Sequence, residues 1–383
     1  MYNINIGGKI MIKKFKPINK AFKFRVYPNQ DQQELIDKTI GCSRFIYNEF
    51  LASAKKHKYK SYSNYSSQLP QLKKEHEWLK EVDSIALQQS LKDLDRSFKN
   101  FFSGKCNFPK FKSKKSSRLS YRTQKFIRSD GSTNIEIKDN KIKLPKLGWI
   151  KYAKSKKVRG KINNVTVSKT KTGKYYISIN VKQILETVVN NNQGELGLDL
   201  GIKEFLTTSD GESISNPRHL YKYEDKLARL QRRMSRKEKG SNNWYKLKSK
   251  IAKVHEKIKN IRRDFLHKLS TRLTKENQLL VIEDLNIKGM LKNSNLAKHI
   301  ADCSWNIFTS MLEYKSKWYD CILQRVDRFF ASSQTCSECG TKNPEIKNLL
   351  IRRWTCKCGA THDRDINAGK NLLKQGKLDL NIN

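Results

Sequence analysis

LGLDLGIKEFLTTSDG, residues 196–211, sets Leu196, Leu198, Leu200 and Ile202 in alternation with Gly197, Asp199 and Gly201. Successive side chains of a β-strand point to opposite faces, so this period of two predicts a strand with the four apolar residues packed inward. Asp199 then lies on the other face. The glycines on either side of it are expected to leave room for a metal ion or a nucleic-acid backbone to approach. A second strand is expected in LLVIEDLNIKGM, residues 279–290, where four consecutive apolar residues read as a strand buried on both faces, as in a parallel sheet. Glu283 and Asp284 arrive at its C-terminal end, where open α/β sheets place their active sites. Capping of the next element accounts for Asp284, which leaves Glu283 as the catalytic choice.

A third carboxylate follows a cluster of cysteines. TCSECGTKNPEIKNLLIRRWTCKCGATHDRDINAGKNLL, residues 335–373, holds four of the eight cysteines and then Asp363-Arg364-Asp365. Cys336-x₂-Cys339 and Cys356-x-Cys358 supply four soft ligands for one structural, tetrahedral Zn²⁺, with His362 as a substitute for one thiolate. Cys-x-Cys is tighter than the usual spacing, so a distorted second knuckle is expected. Asp363 suits a helix N-cap, with Asp365 in the first turn of a short helix whose Leu372 and Leu373 face inward. Asp199, Glu283 and Asp365 thus sit in contexts suited to strand, strand end and helix start. Three such carboxylates are the ligands that hold two Mg²⁺ ions and hydrolyse phosphodiesters, which suggests a nuclease.

Working outward, residues 21–28 read as a half-buried strand ended by Pro28, and helices are expected from Asp31 to about Lys58 and after an Asp83-Ser84 cap. Residues 31–105 make a helical block. Turn chemistry at Asp139-Asn140 and Thr172-Gly173 predicts two hairpins between 134 and 182, which with the strand at 21–28 would form a β-barrel interrupted by the helices. PKFKSKKSSRLSYRTQKF, residues 109–126, joins cations to a stacking-capable Tyr121 and reads as a nucleic-acid contact. TVVNNNQG, residues 187–194, reads as a domain boundary. Residues 217–275 carry two apolar seams, Leu220 to Met234 and Leu247 to Phe265, around the turn KGSNN, and so predict an antiparallel helical hairpin with basic outer faces.

Composition narrows the partners. The 383 residues carry 79 Lys or Arg against 36 Asp or Glu, a formal net charge of +43. Such a field repels itself and calls for a bound polyanion, nucleic acid ahead of an anionic membrane surface. No apolar run approaches the roughly 20 residues a bilayer span needs, and the N-terminus has no secretory signal pattern. A cytoplasmic location with reduced thiols is expected. Met11 offers an alternative start, with 1–10 as a dispensable leader.

Taken in order, GLDLGIKEFLTTSDG, VIEDLNIKGM and the four-cysteine block ending HDRDINAGKN resemble TnpB, the RNA-guided nuclease family of bacterial insertion sequences and relative of type V CRISPR effectors. KAFKFRVYPNQDQQ, GCSRFIYN, LPQLKKE and FKSKKSSRLSYRTQ extend the resemblance over nearly the whole chain. It implies an α/β multidomain protein: a RuvC-like (RNase H-type) nuclease with an inserted zinc finger, preceded by a wedge β-barrel that a helical recognition domain splits. The implied domains are 1–30 and 123–190 (wedge), 31–122 (recognition), 191–330 (nuclease with its basic hairpin), 331–361 (zinc finger) and 362–383 (nuclease C-terminal segment). It further implies Asp199, Glu283 and Asp365 as catalytic carboxylates on two Mg²⁺ ions, with Asp363 in support, and Tyr47, Thr123 and Gln124 facing a short DNA motif beside the target. The implied partners are a guide RNA from the element's own end and double-stranded target DNA, bound by a monomer in a ribonucleoprotein of a bacterial or archaeal cytoplasm, at the nucleoid when on target. The competing reading is an RNA-guided repressor without cleavage, which would lack at least one carboxylate. A transposase of the HUH type would need a His-hydrophobe-His pair, which the seven histidines do not form.

Overall fold

The computed structural model describes residues 2–6, 9–115, 118–188, 194–348 and 350–382. The chain divides into two compact units, residues 17–184 and residues 185–383 together with 1–16. Residues 189–193 of the spacer read as a boundary, Ser116 and Ser117 of the basic segment, and Met1, Gly7 and Gly8 of the expected leader lie outside the described residues.

Strand β1 (Tyr2–Ile6) pairs with the start of β2 (Lys9–Tyr27), both among the residues 1–16 grouped with the second unit, and β2 runs on into the first unit, where three helices follow: α1 (Gln30–His57), α2 (Tyr62–Glu75) and α3 (Ser84–Phe102). Asn29 opens α1 with a capping box, its side chain accepting from Gln32 N while Gln32 reaches back to Asn29 N. Asp83 caps α3 through Ile85 N, as the sequence led us to expect. Helix α2 was not anticipated, because Pro70 lies inside it and only Tyr65 and Leu69 are buried. Strands β3 (Ser120–Gln124), β4 (Glu136–Lys138), β5 (Lys141–Leu144), β6 (Gly148–Tyr152), β7 (Lys161–Lys169) and β8 (Tyr175–Val188) complete a sheet ordered β3-β7-β8-β2-β6-β5-β4. Both expected hairpins form, with Asp139 and Gly173 at positive φ in their turns. Asn134, in the loop that joins β3 to β4, donates to Gln124 O and accepts from Phe126 N. Tyr121 is buried in the sheet's core, and that corrects its reading as a stacking ring: its strand position points it inward.

The second unit is built on a five-stranded sheet ordered β11-β10-β9-β12-β13, from β9 (Gly194–Asp199), β10 (Glu204–Thr208), β11 (Ser213–Ser215), β12 (Asn277–Glu283) and β13 (Ile322–Val326). Strands β9, β12 and β13 run parallel, while β10 and β11 are antiparallel to their neighbours. Between β11 and β12 lies the basic hairpin of α4 (Tyr221–Ser235) and α5 (Asn242–Glu276), zipped by Leu227, Val254 and Ile258. Phe265 leaves that seam and packs edge-on against Phe205 of the sheet. After β12 come α6 (Ile287–Met290), α7 (Ser294–Cys303) and α8 (Trp305–Tyr319), and after β13 a hairpin of β14 (Arg353–Thr355) and β15 (Thr361–Asp363) leads into α9 (Arg364–Asp379).

Strand β12 is buried on both faces. Leu280 and Ile282 join Leu198, Phe205, Phe308 and Leu266 in one core, whereas Leu279 and Val281 join Leu372 of α9 in another. Burying side chains of this size is worth about 1.5–3 kcal/mol each, which is why four apolar residues in a row make a central strand. Among the described residues no helix is long and apolar enough to cross a membrane.

Candidate active site and metal centre

The parallel register of β9 and β12, with Leu198 opposite Ile282, brings Asp199 and Glu283 to the same edge of the sheet. Helix α9 lies across the face that carries Gly197 and Asp199, and its first turn supplies Asp365. Of the two glycines beside Asp199, Gly197 has a different purpose from the one expected, and Gly201 is crowded by Glu204 O, 2.8 Å from where its Cβ would stand. A Cβ on Gly197 would stand 1.9 Å from Gly369 O of α9, and one on Gly376 would meet the Val281 side chain at 2.5 Å. Gly197 therefore lets the helix, and Asp365 with it, close onto the strand; the space is already filled and is not a channel for a ligand.

The carboxylates act on each other. Burial first, and then the charges of Asp365 and Glu283, push the Asp199 carboxyl up to about 7. Glu283 is also raised, by burial and then by Asp284. Asp284 does not cap α6, a task that falls to Asn286; it is held by Arg325 at 3.1 Å and Arg328 at 2.8 Å. Asp363 caps α9, accepting from the backbone of Asp365 and Ile366. The Arg352 guanidinium, on the hairpin before α9, lies 3.1 and 3.2 Å from the two oxygens of Asp365. Sequence reading missed Arg352, because nothing in IRRWT sets one arginine apart from its neighbour; the fold does, by tying the residue just before β14 to the start of α9 through Arg364 N and Arg352 O.

The thiols of Cys336, Cys339, Cys356 and Cys358 lie within 4.8 Å of one another, with sulfur separations of 3.8 Å (Cys336–Cys358) and 3.6 Å (Cys339–Cys356). Tetrahedral Zn²⁺, with bonds of roughly 2.3 Å, puts its sulfurs about 3.8 Å apart, so this cluster is able to hold a zinc ion. His362 is not one of the four: its Nε2 sits 3.1 Å from Cys336 Sγ and its ring packs on Trp354. The short knuckle has a simple geometry. Gly340 N donates to Cys336 O across four residues, and Gly359 N donates to Cys356 O across three, each glycine at positive φ. The missing residue tightens the turn by one position and leaves the thiols converging.

Asn367 and Asn371, one turn apart on α9, fasten the knot to the helix. Asn367 accepts from Ser337 N and donates to Thr335 O, and Asn371 donates to Ser332 O and Thr335 O. On the other side Arg364 N donates to Arg352 O and its guanidinium to Asn348 O. The residues implied for DNA-motif contact fall unevenly. Tyr47 and Thr123 are buried, 4% and 0% exposed, with Tyr47 in the core of the helical block, whereas Gln124 is exposed and bonded to Gln89.

A family described as "Probable transposase" (OrfB of IS605) matches residues 165–294, "Cas12f1-like, TNB domain" matches 305–372, and "Helix-turn-helix domain" matches 18–62, here the end of β2 followed by α1 and the start of α2. A Streptomyces pristinaespiralis protein described as "Putative RNA-guided DNA endonuclease" is 39% identical over 368 residues, covering 94% of this chain and 90% of the relative. InsQ of Escherichia coli K12, of the same description, is 37% identical over 380 residues, covering 93% and 92%. A Cas12f1 chain, solved by cryo-EM in a complex with sgRNA and target DNA, shares the fold at a TM-score of 0.61 with 14% identity, over 93% of this chain and 98% of that one. With identity of this order along nearly the full length of both chains, the protein belongs to the OrfB/TnpB family.

Proposed function

We propose that this protein is an RNA-guided DNA endonuclease that cuts double-stranded DNA beside a short flanking motif, with Asp199, Glu283 and Asp365 as its catalytic carboxylates. One observation carries the reading: three acidic residues spread over 167 positions are drawn to one edge of one sheet, close enough that Asp365 and Glu283 raise the Asp199 carboxyl. Mutual repulsion of this kind costs stability, and a fold that keeps it is keeping a cation site. Similarity to proteins described as RNA-guided DNA endonucleases supports the same conclusion.

In this reading the five-stranded sheet with helices on both faces is the RuvC-like, RNase H-type nuclease, residues 191–330 and 362–383, with residues 331–361 as its zinc finger. The sheet of the first unit is the wedge β-barrel, split by the helical recognition domain of 31–122. Two Mg²⁺ ions at the carboxylates would supply Lewis-acid activation of water and stabilise the leaving oxygen. Oxygen donors alone at this edge fit a hard cation. Asp199 is the carboxyl that feels the charges of both others, and all three would hold the cations. Arg352 pairs with Asp365 and brings a guanidinium to the site that is suited to phosphate. The four thiolates hold one Zn²⁺ with no open position, a structural site. A guide RNA occupies part of the basic surface, target DNA another, and Gln124 is the residue left to meet the flanking motif. The protein acts as a monomer in the ribonucleoprotein.

The test uses the protein co-expressed with RNA from the 3′ end of its own gene, and plasmids carrying a guide-matched target beside randomised flanks. Guide-dependent linearisation in Mg²⁺, abolished by EDTA and by Asp199→Ala, is expected. Guide-dependent binding with intact plasmid would make the protein a repressor and end the nuclease reading.

A further inference from the structure

Residues 96–129 hold eleven Lys or Arg and neither Asp nor Glu. The aromatic rings of this stretch divide sharply. Tyr121 is buried, but Phe102, Phe108 and Phe111 are 66%, 39% and 49% exposed. They are not loosely displayed. Asn48 of α1 clamps the returning chain, accepting from Lys112 N at 2.8 Å and donating to Lys112 O at 2.9 Å. Phe108 stands edge-on to Phe98 and Phe101, with ring centres 5.5 and 5.3 Å away, and Phe102 packs beside Phe98 at 5.9 Å. The Lys55 ammonium lies 4.6 Å from the centre of the Phe111 ring and 6.0 Å from that of Phe108.

Three exposed phenylalanines on a buttressed surface need a cover. The charge around them says which kind. The carboxylates just before this stretch, Asp93 and Asp95, are already paired with Arg122 and Lys99. A protein partner is met by a rim of both signs; this rim is cationic. Flat apolar rings ringed by cations suit a polyanion that carries π-faces, and in a duplex those faces are hidden in the stack. The occupant is therefore an unpaired strand. Of the two strands available, RNA is the resident: a chain of net charge +43 with bare phenylalanines needs its partner throughout its life, whereas target DNA is met only occasionally.

We propose that Phe102, Phe108 and Phe111, with Lys55, form a stacking platform for unpaired bases of the RNA this protein carries. The proposal rests on the RNA-guided reading above. It goes beyond that reading by naming a surface and a chemical mode of contact.

The experiment has two arms. First, full-length protein and Phe102→Ala/Phe111→Ala are titrated into fluorescein-labelled rU₁₅ and into an abasic 15-mer at fixed salt. The double variant is expected to weaken rU₁₅ binding roughly tenfold and the abasic strand less than twofold, with Phe102→Trp/Phe111→Trp restoring rU₁₅. Equal losses on both strands, or none on rU₁₅, would overturn the platform; no binding of either strand by the wild type would instead count against the RNA-guided reading. Second, base-reactive chemical probing is run on the ribonucleoprotein before DNA is added. Unpaired bases protected in the wild type are expected to become reactive in the Ala variant. Protection that first appears on a displaced DNA strand after target binding would refute RNA as the occupant. Sedimentation of both proteins closes the remaining route, because a wild-type dimer lost in the Ala variant would make this face a protein contact.

Discussion

The thiol knot and the carboxylate trio are neighbours in the chain and opposites in construction. The four thiols come from 23 consecutive positions and close to within 4.8 Å. The three carboxylates come from 167 positions and are brought together only by strand register and the packing of α9. The knot has a core of little more than Ile346 and Trp354 beside its own cysteines, and in the proposed reading zinc replaces the hydrophobic burial that a segment this small lacks. The sheet and α9 place the trio, and burial with like charge raises the Asp199 carboxyl. In the function proposed above, one site is folded by its ion, and the other is held together by the fold against its own charges.

That contrast can be broken by exchanging losses between the sites. Asp199→Ala should lower cleavage on the order of 10³-fold or more, with zinc content and guide-dependent binding at wild-type values and a melting temperature no lower than wild type, because the repulsion is relieved. Cys356→Ser should do the reverse in kind: elemental analysis finds zinc well below one per chain, and the melting temperature drops by about 5 °C or more. A Cys356→Ser protein with full zinc and full activity would remove it from the ligand set. Gly197→Ala tests the seam between the sites. Its Cβ has no room against Gly369 O, so unfolding in denaturant should show a loss of at least about 2 kcal/mol. A neutral result would mean that α9 does not need its close approach.

A smaller effect sharpens the coupling. Asn367→Ala removes one of two amide clamps between knot and helix, and should cost about 1 kcal/mol and lower cleavage several-fold with zinc still bound. Unchanged cleavage would show that the knot does not position Asp365.

The smallest expected effect lies away from both sites. Lys315 of α8 is buried, its ammonium donating to His267 O, Ser270 Oγ and Thr271 Oγ1, and burial lowers it to about 8. Because the unfolded chain keeps its proton up to about pH 10.4, unfolded protein binds more protons than folded between about pH 8 and 10. Stability from this group therefore rises with pH across that window. Lys315→Met should flatten the rise and leave stability at pH 7 within about 1 kcal/mol, since both hydroxyls keep carbonyl partners one turn back. An unchanged pH slope would reassign it to another group.

Much of this was legible one residue at a time. Periodicity of two located β9 and the paired hairpins, and four apolar residues in a row located β12. Periodicity near 3.6 found the seams of the basic hairpin, and thiol spacing found the knot. Strand β13 and helices α7 and α8 went unread: β13 alternates only weakly, and α8 is apolar on too many sides to show a stripe. Asp363 and Asp365 were placed in the right turn, but α9 runs for 16 residues where a short helix was expected. Its glycines look like breaks in sequence and are packing surfaces in the fold.

The sequence by itself determined what depends on local chemistry: turn residues, caps, strand alternation, the four soft ligands, and a charge that demands a polyanion. Tertiary structure alone decided which residues meet. It joined Asp199 to Glu283 through strand register, set Arg352 on Asp365, turned Tyr121 inward and left Phe102 and Phe111 facing out. The reason is that local preferences act through a residue's own backbone and immediate neighbours. Burial and charge pairing depend on which distant segments fill the space beside it.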